Sequence, residues 1–153
     1  VLGSISDYHI GEKTIKRLEA FNIDYELRII SAHRALGDLQ EFVSTFEEKN
    51  IGVCIAMAGK AAHLPGVIAG MTTVPVIGVP IFSPATSGID SLLSIVQMPS
   101  GVPVATVAID GGENAAILSA QILALSDPKL KDKLLSHKHE MVDKVRQQNN
   151  KMK

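Results

Sequence analysis

Apolar positions along this chain fall into two alternating rhythms. Short continuous runs bounded by Gly, Pro or charged residues read as buried strands: "DYELRII" (24–30), "GVCIAMA" (52–58), "VPVIGVP" (74–80) and "VPVATVAI" (102–109). "VL" at Val1–Leu2 reads as the end of one more strand, stopping at Gly3. It is too short for a full strand, and the natural sequence is expected to begin a few residues earlier. Between the runs, apolar residues recur at helical spacing. Ile10, Ile15, Leu18 and Phe21 mark a helix from Tyr8 to Phe21. Leu36, Leu39, Val43 and Phe46 mark a second, with Glu41, Glu47 and Glu48 on its wet side. "HLPGVIAG", "GIDSLLSIVQM" and "ENAAILSAQILAL" read as three more, the last with small residues that can approach a sheet closely. Ser126-Asp127-Pro128 caps a long final helix, which carries Leu130, Leu134, Met141, Val142 and Val145 amid many charges.

Strict alternation of this kind predicts a parallel sheet covered by helices on both faces. The expected architecture is a three-layer α/β/α sandwich: five parallel strands in flavodoxin-like order and a long C-terminal helix. "GVCIAMA" is apolar on both faces, as a central parallel strand should be, and Pro75 and Pro80 bracket the fourth strand. Residues 1–126 form one α/β catalytic domain in this reading. The helix over 127–153 packs on that domain or on a neighbouring subunit.

Composition narrows the function classes. A net charge of −1 gives no electrostatic case for nucleic acid or an anionic membrane. The chain has no Trp, and aromatics make up 4%, which leaves little for base stacking. No apolar run nears the ~20 residues a bilayer requires, and no leader segment is expected. The single cysteine, Cys54, reads as a buried structural thiol; a chain without an internal disulfide fits a reducing, cytoplasmic setting.

Candidate chemistry gathers at strand ends, where open α/β sheets bind ligands. "GSISD" (Gly3–Asp7) offers a tight turn, two hydroxyls and helix N-terminal amides, which is anion-binding geometry. Asp7 there can accept bonds from ribose hydroxyls, although Ser6 or Asp7 could equally be ordinary N-caps. It is not a GxGxxG fingerprint, so nothing argues for a dinucleotide. "SAHR" (Ser31–Arg34) places an imidazole suited to proton transfer near neutral pH beside a planar guanidinium suited to phosphate. Either residue could instead be a surface cap. "AGKAAH" (Ala58–His63) ends in a histidine that could orient a carboxylate or cap a helix. No Cys or carboxylate lies at ligand spacing beside His33 or His63, so no metal site is expected. His137 and His139, two apart on a charged helix, read as solvated.

Taken in order, "GSISD", "SAHR", "AGKAAHLPG", "PVIGVP" and "GIDSLLSIVQMPSGVPVATVAI" resemble the N5-carboxyaminoimidazole ribonucleotide mutase family of purine biosynthesis, of the phosphoribosylaminoimidazole carboxylase catalytic-subunit type. The resemblance runs from Leu2 to about Leu125. Arg34 and the "AAHLPG" segment (Ala61–Gly66) match the branch that isomerises the carboxyamino substrate, rather than the branch that carboxylates aminoimidazole ribonucleotide with CO2. The resemblance implies His33 as the catalytic residue. It implies substrate binding by Ser4, Ser6, Asp7, Ser31 and Arg34, with Ser6 and Arg34 on the phosphate and Asp7 on the ribose. His63 and the backbone around Gly59 would line the pocket for the migrating carboxyl, and Lys60 and Leu64 join the substrate-binding positions, the Lys60 cation either touching a carboxylate or pointing to solvent. It also implies a homo-octamer with sites between subunits, the Gln97-Met98-Pro99 turn reaching a neighbour's site, and no cofactor or metal.

Three departures stand out. Ala35-Leu36 replaces the family's usual Thr-Pro, the "IDGGENAA" loop is shorter than in many members, and Lys60 stands where a second glycine is common. A lysine there costs energy if the backbone needs a positive φ. The implied chemistry gives His33 two jobs: as imidazolium it protonates the carbamate nitrogen, and as neutral imidazole it removes the C4 proton after confined CO2 is recaptured. The rival readings are the CO2-using carboxylase branch, a non-catalytic nucleotide-binding module and a flavodoxin-like electron carrier.

Overall fold

The computed structural model describes residues 1–152. Its elements follow the alternation: α1 (Tyr8–Ala20), α2 (Leu36–Ser44), β1 (Cys54–Gly59), α3 (Leu64–Ala69), β2 (Val76–Ile81), α4 (Ile89–Val96), β3 (Ala105–Thr106), α5 (Gly112–Leu123) and α6 (Pro128–Asn150). A single 3₁₀ turn, Ile5–Asp7, precedes α1.

The regular sheet has three parallel strands in the order β1-β2-β3, not five. The two missing strands survive as single parallel bridges from Leu2 to Ile29 and from Leu2 to Met57. Leu2 N–H donates to Arg28 and its carbonyl accepts from Ile30, while Gly3 N–H donates to Met57. The first segment meets its neighbours through Leu2 and Gly3. The second segment has only that neighbour, and Ile29 is correspondingly 47% exposed at the edge. The spatial order is therefore that of a flavodoxin-like sheet, with the second segment outermost and the first between it and β1.

Side-chain alternation along the strands sends their residues to two cores. Cys54, Ala56 and Ala58 meet Leu39, Val43, Leu64, Ile68 and Ile95 from α2, α3 and α4. Met57, Ile77, Val79 and Ile81 meet Leu2, Ile10 and Ala115 on the face of α1 and α5. These are the two outer layers. Close approach depends on missing side chains. A Cβ on Gly112 would lie 2.5 Å from Thr14 Oγ1 and 2.7 Å from the Ile10 carbonyl, so α5 sits directly on α1. A Cβ on Gly78 would lie 2.3 Å from Ile95, which brings α4 down on β2.

The Asp127 carboxylate caps α6 by accepting from the amides of Lys129 and Leu130 at 2.9 and 3.2 Å, and Pro128 occupies the first turn. Leu130 packs with Phe21 and Ala120 in a third core. His137 is not solvated: its ring meets Phe21 edge-on at 5.6 Å, beside Arg17, and it is buried. Beyond it, Met141, Val142 and Val145 are exposed. No helix among the described residues is long and apolar enough to cross a membrane.

Candidate active site

Because the strands are parallel, their C-terminal ends share one edge. Leu2 bridges to both Ile29 and Met57, so the loops after the first three strand segments are immediate neighbours. They enclose a cavity of about 590 Å³. Ser4, Ser6 and Asp7 reach it from the first loop, and Ser31, His33 and Arg34 from the second. Gly59, Lys60, His63 and Leu64 reach it from the third. Every candidate site residue of the sequence thus lines one cavity. A second cavity of about 580 Å³ lies beside the opposite ends of the strands, lined by residues such as Leu18, Tyr25, Phe42 and Val53, with neither histidine nor arginine.

The first loop is organised by its serines. Ser4, not Ser6 or Asp7, caps the 3₁₀ turn: its Oγ accepts from the Ser6 amide at 3.3 Å and from Ser6 Oγ at 3.0 Å. Ser6 Oγ also lies 3.0 Å from Asp7 Oδ1. Asp7 is 7% exposed, and burial raises its carboxyl above the ordinary carboxylate value, although the Ser6 hydroxyl works the other way.

In the second and third loops two imidazoles meet. His33 Nε2 and His63 Nδ1 are 2.9 Å apart, with the rings nearly perpendicular at 82° and their centroids 5.0 Å apart. His63 sits at the N-cap of α3 but makes no capping bond; its ring serves His33 instead. Arg34 Nε donates to Ser31 Oγ at 3.3 Å, which ties the guanidinium to its own turn.

Lys60 has φ +57°, the left-handed conformation that suits glycine. For a lysine this costs on the order of 1 kcal/mol. Its flanks are small: Ala58, Gly59 and Ala61 line the cavity with backbone and methyl groups.

The fourth strand end adds residues that sequence reasoning passed over. Phe82, Ser83 and Pro84 complete the wall. The Phe82 amide donates to Asp110 Oδ1 at 2.9 Å, and Asp110 itself has φ +57°. The signal was topological: "VPVIGVP" is a parallel strand, so its exit must face the same edge as the other three. Among the described residues no group of three His, Cys, Asp or Glu side chains is placed to hold a metal ion.

Fold and site together define an α/β protein with a cavity at the carboxyl edge of its sheet, lined by a histidine pair, the Arg34 guanidinium and a serine turn. Comparison with known sequences agrees and goes further: the AIR carboxylase family profile matches residues 1–144, and the chain belongs to that family. An N5-carboxyaminoimidazole ribonucleotide mutase from Pyrococcus abyssi is 54% identical over 141 residues, covering 92% of this chain and 81% of that protein. The protein of that name from Methanocaldococcus jannaschii is 48% identical over 153 residues, covering 100% and 95%. The solved structure of PurE from Treponema denticola superposes with a TM-score of 0.89 at 30% identity, covering 99% of this chain and 95% of that one.

Proposed function

We propose that this chain is an isomerase that converts N5-carboxyaminoimidazole ribonucleotide to 4-carboxyaminoimidazole ribonucleotide. The observation that carries the reading is the His33–His63 contact of 2.9 Å inside a cavity that also holds Asp7, Arg34 and the serine turn. The names of the relatives at about half identity support the same reaction rather than direct carboxylation.

The chemistry follows from the residue types. The substrate is a carbamate and loses CO2 when its nitrogen is protonated. His33 as imidazolium donates that proton, and the N–C bond breaks with its electron pair going to nitrogen. CO2 stays among Ala58, Gly59 and Ala61, where confinement gives an effective molarity worth roughly 7 kcal/mol or more in favourable cases. The ring C4 attacks CO2. His33, now neutral, takes the C4 proton and returns to imidazolium. Atoms and charge balance with no further reactant. His63 orients the His33 ring and fixes which nitrogen carries its proton. Arg34 and Ser6 hold the phosphate, and Asp7 accepts from the ribose hydroxyls. The backbone amides around Gly59 steady the carboxylate.

The same reading makes the chain a homo-octamer working in the cytoplasm. Exposed Ile89, Leu93 and Val96 form one apolar face of α4, and Met141, Val142 and Val145 lie on the outer part of α6. An assembly would cover such faces. Sedimentation of the purified protein checks this, with a monomer as the contrary result.

The test of the activity supplies the carboxyamino substrate and aminoimidazole ribonucleotide in separate reactions. Turnover of the first without added bicarbonate supports the mutase. Turnover only of the second, and only with bicarbonate, identifies a carboxylase. Binding of either without turnover identifies a non-catalytic module.

A further inference from the structure

We propose that Lys60 is a specificity-determining residue that grips the migrating carboxylate of the substrate, and not its phosphate. The inference rests on the ribonucleotide reading above and assigns to this position a role of its own.

Three observations converge. First, Lys60 is a non-glycine residue held at φ +57°, so a side chain is kept where a bare backbone would be more comfortable. Backbone strain of this kind clusters at ligand-binding sites. Second, Lys60 and Arg34 are the two permanent cations lining the cavity, and neither belongs to an ion pair among the described residues. The one carboxylate in the lining, Asp7, is engaged with Ser6. The proposed substrate brings two anionic groups, a phosphate and a carboxylate, to two free cations.

Third, the loops divide the work. Arg34 is tied through Ser31 to the second loop, beside the serine turn of the first, where neutral donors suit a phosphate. Lys60 lies in the short loop that ends at His63, and His63 touches His33. The group that reacts at His33 is the carboxyl. An ammonium carried on this loop, which lines the same cavity as both histidines, can follow the carboxylate from nitrogen to carbon, since it needs no fixed bidentate geometry. It also releases the neutral CO2 that forms between the two steps, because a cation has little hold on an uncharged gas.

Calorimetric titration of two ligands tests this. One is 4-carboxyaminoimidazole ribonucleotide; the other is aminoimidazole ribonucleotide, which has the same sugar and phosphate but no carboxylate. The variants are Lys60→Gly, which suits the backbone, and Lys60→Asn, which tolerates φ > 0 without charge. Either variant that melts cooperatively serves. The expected result is a loss of roughly tenfold in affinity for the carboxylated ligand, with the decarboxylated ligand bound as by wild type. Equal losses for both ligands would place Lys60 on the phosphate and overturn the proposal; so would no loss for either. If wild type binds neither ligand, the ribonucleotide reading itself falls, and the proposal with it.

Discussion

His33 Nε2 lies 2.9 Å from His63 Nδ1, across two loops that are 30 residues apart in the chain. One of these nitrogens must carry the shared proton and the other must accept it. No other hydrogen bond joins either ring to the described residues, so the second nitrogen of His33 has no partner among them. A ring held on one side and free on the other is what a proton shuttle requires.

Arg34 lines the cavity, and among the described residues its side chain bonds only Ser31. Replacing it with alanine is expected to raise KM by roughly ten- to a hundredfold through the lost charge-assisted bonds, with a smaller change in kcat. Steady-state kinetics reads this directly. An unchanged KM would remove Arg34 from the phosphate.

Asp7 gives a pH-dependent prediction. Burial raises its carboxyl in the folded protein above the ordinary value. A raised carboxyl means that the folded state prefers the protonated form. Its contribution is therefore intact below the ordinary carboxylate value and is lost as pH rises through the raised one. The Asp7→Asn variant puts a side chain of the same shape there that cannot ionise. It is expected to melt above wild type at neutral pH, with the gap narrowing as the solution is acidified toward about pH 4. Calorimetric melts across that range check the sign; a gap that widens on acidification would contradict it.

Gly112 lies where α5 rests on α1, with no room for a methyl group against the Thr14 hydroxyl and the Ile10 carbonyl. Gly112→Ala is expected to destabilise the fold by about 2 kcal/mol through overpacking. Chemical denaturation measures it. A variant as stable as wild type would mean that the two helices can part at little cost.

Phe21 joins α6 to the domain through its ring contacts with His137 and its place beside Leu130 and Ala120. Its carbonyl also accepts from Lys133 Nζ at 2.7 Å. Phe21→Ala is expected to cost about 3 kcal/mol and to speed amide exchange in the first half of α6 more than in α3. Equal exchange in both would show that α6 is held elsewhere.

Much of this was legible in the chain. The alternation of runs and helical spacings located every helix, because periodicity reports burial directly. It overstated the sheet, because a strand's length depends on its neighbour's and not on its own apolar run. "DYELRII" has the composition of a strand but only Leu2 to pair with. The three polar loops were legible because glycine, serine and histidine cluster at strand exits, the edge where open α/β sheets bind ligands. Phe82–Pro84 were not, since nothing in "IFSP" suggests chemistry and only the parallel topology brings it round. His137 was misread for a related reason. Its neighbours in sequence are charged, and the ring that buries it, Phe21, lies 116 positions away.

The central claim is that His33 moves the proton at both ends of a carboxyl migration. Proton NMR can follow purified protein acting on N5-carboxyaminoimidazole ribonucleotide, beside its His33→Asn variant. Loss of the C4 proton signal with formation of the 4-carboxy product by wild type is the expected result. The variant should bind the substrate yet turn it over at least roughly a thousandfold more slowly. A variant that isomerises the substrate at the wild-type rate would contradict the account.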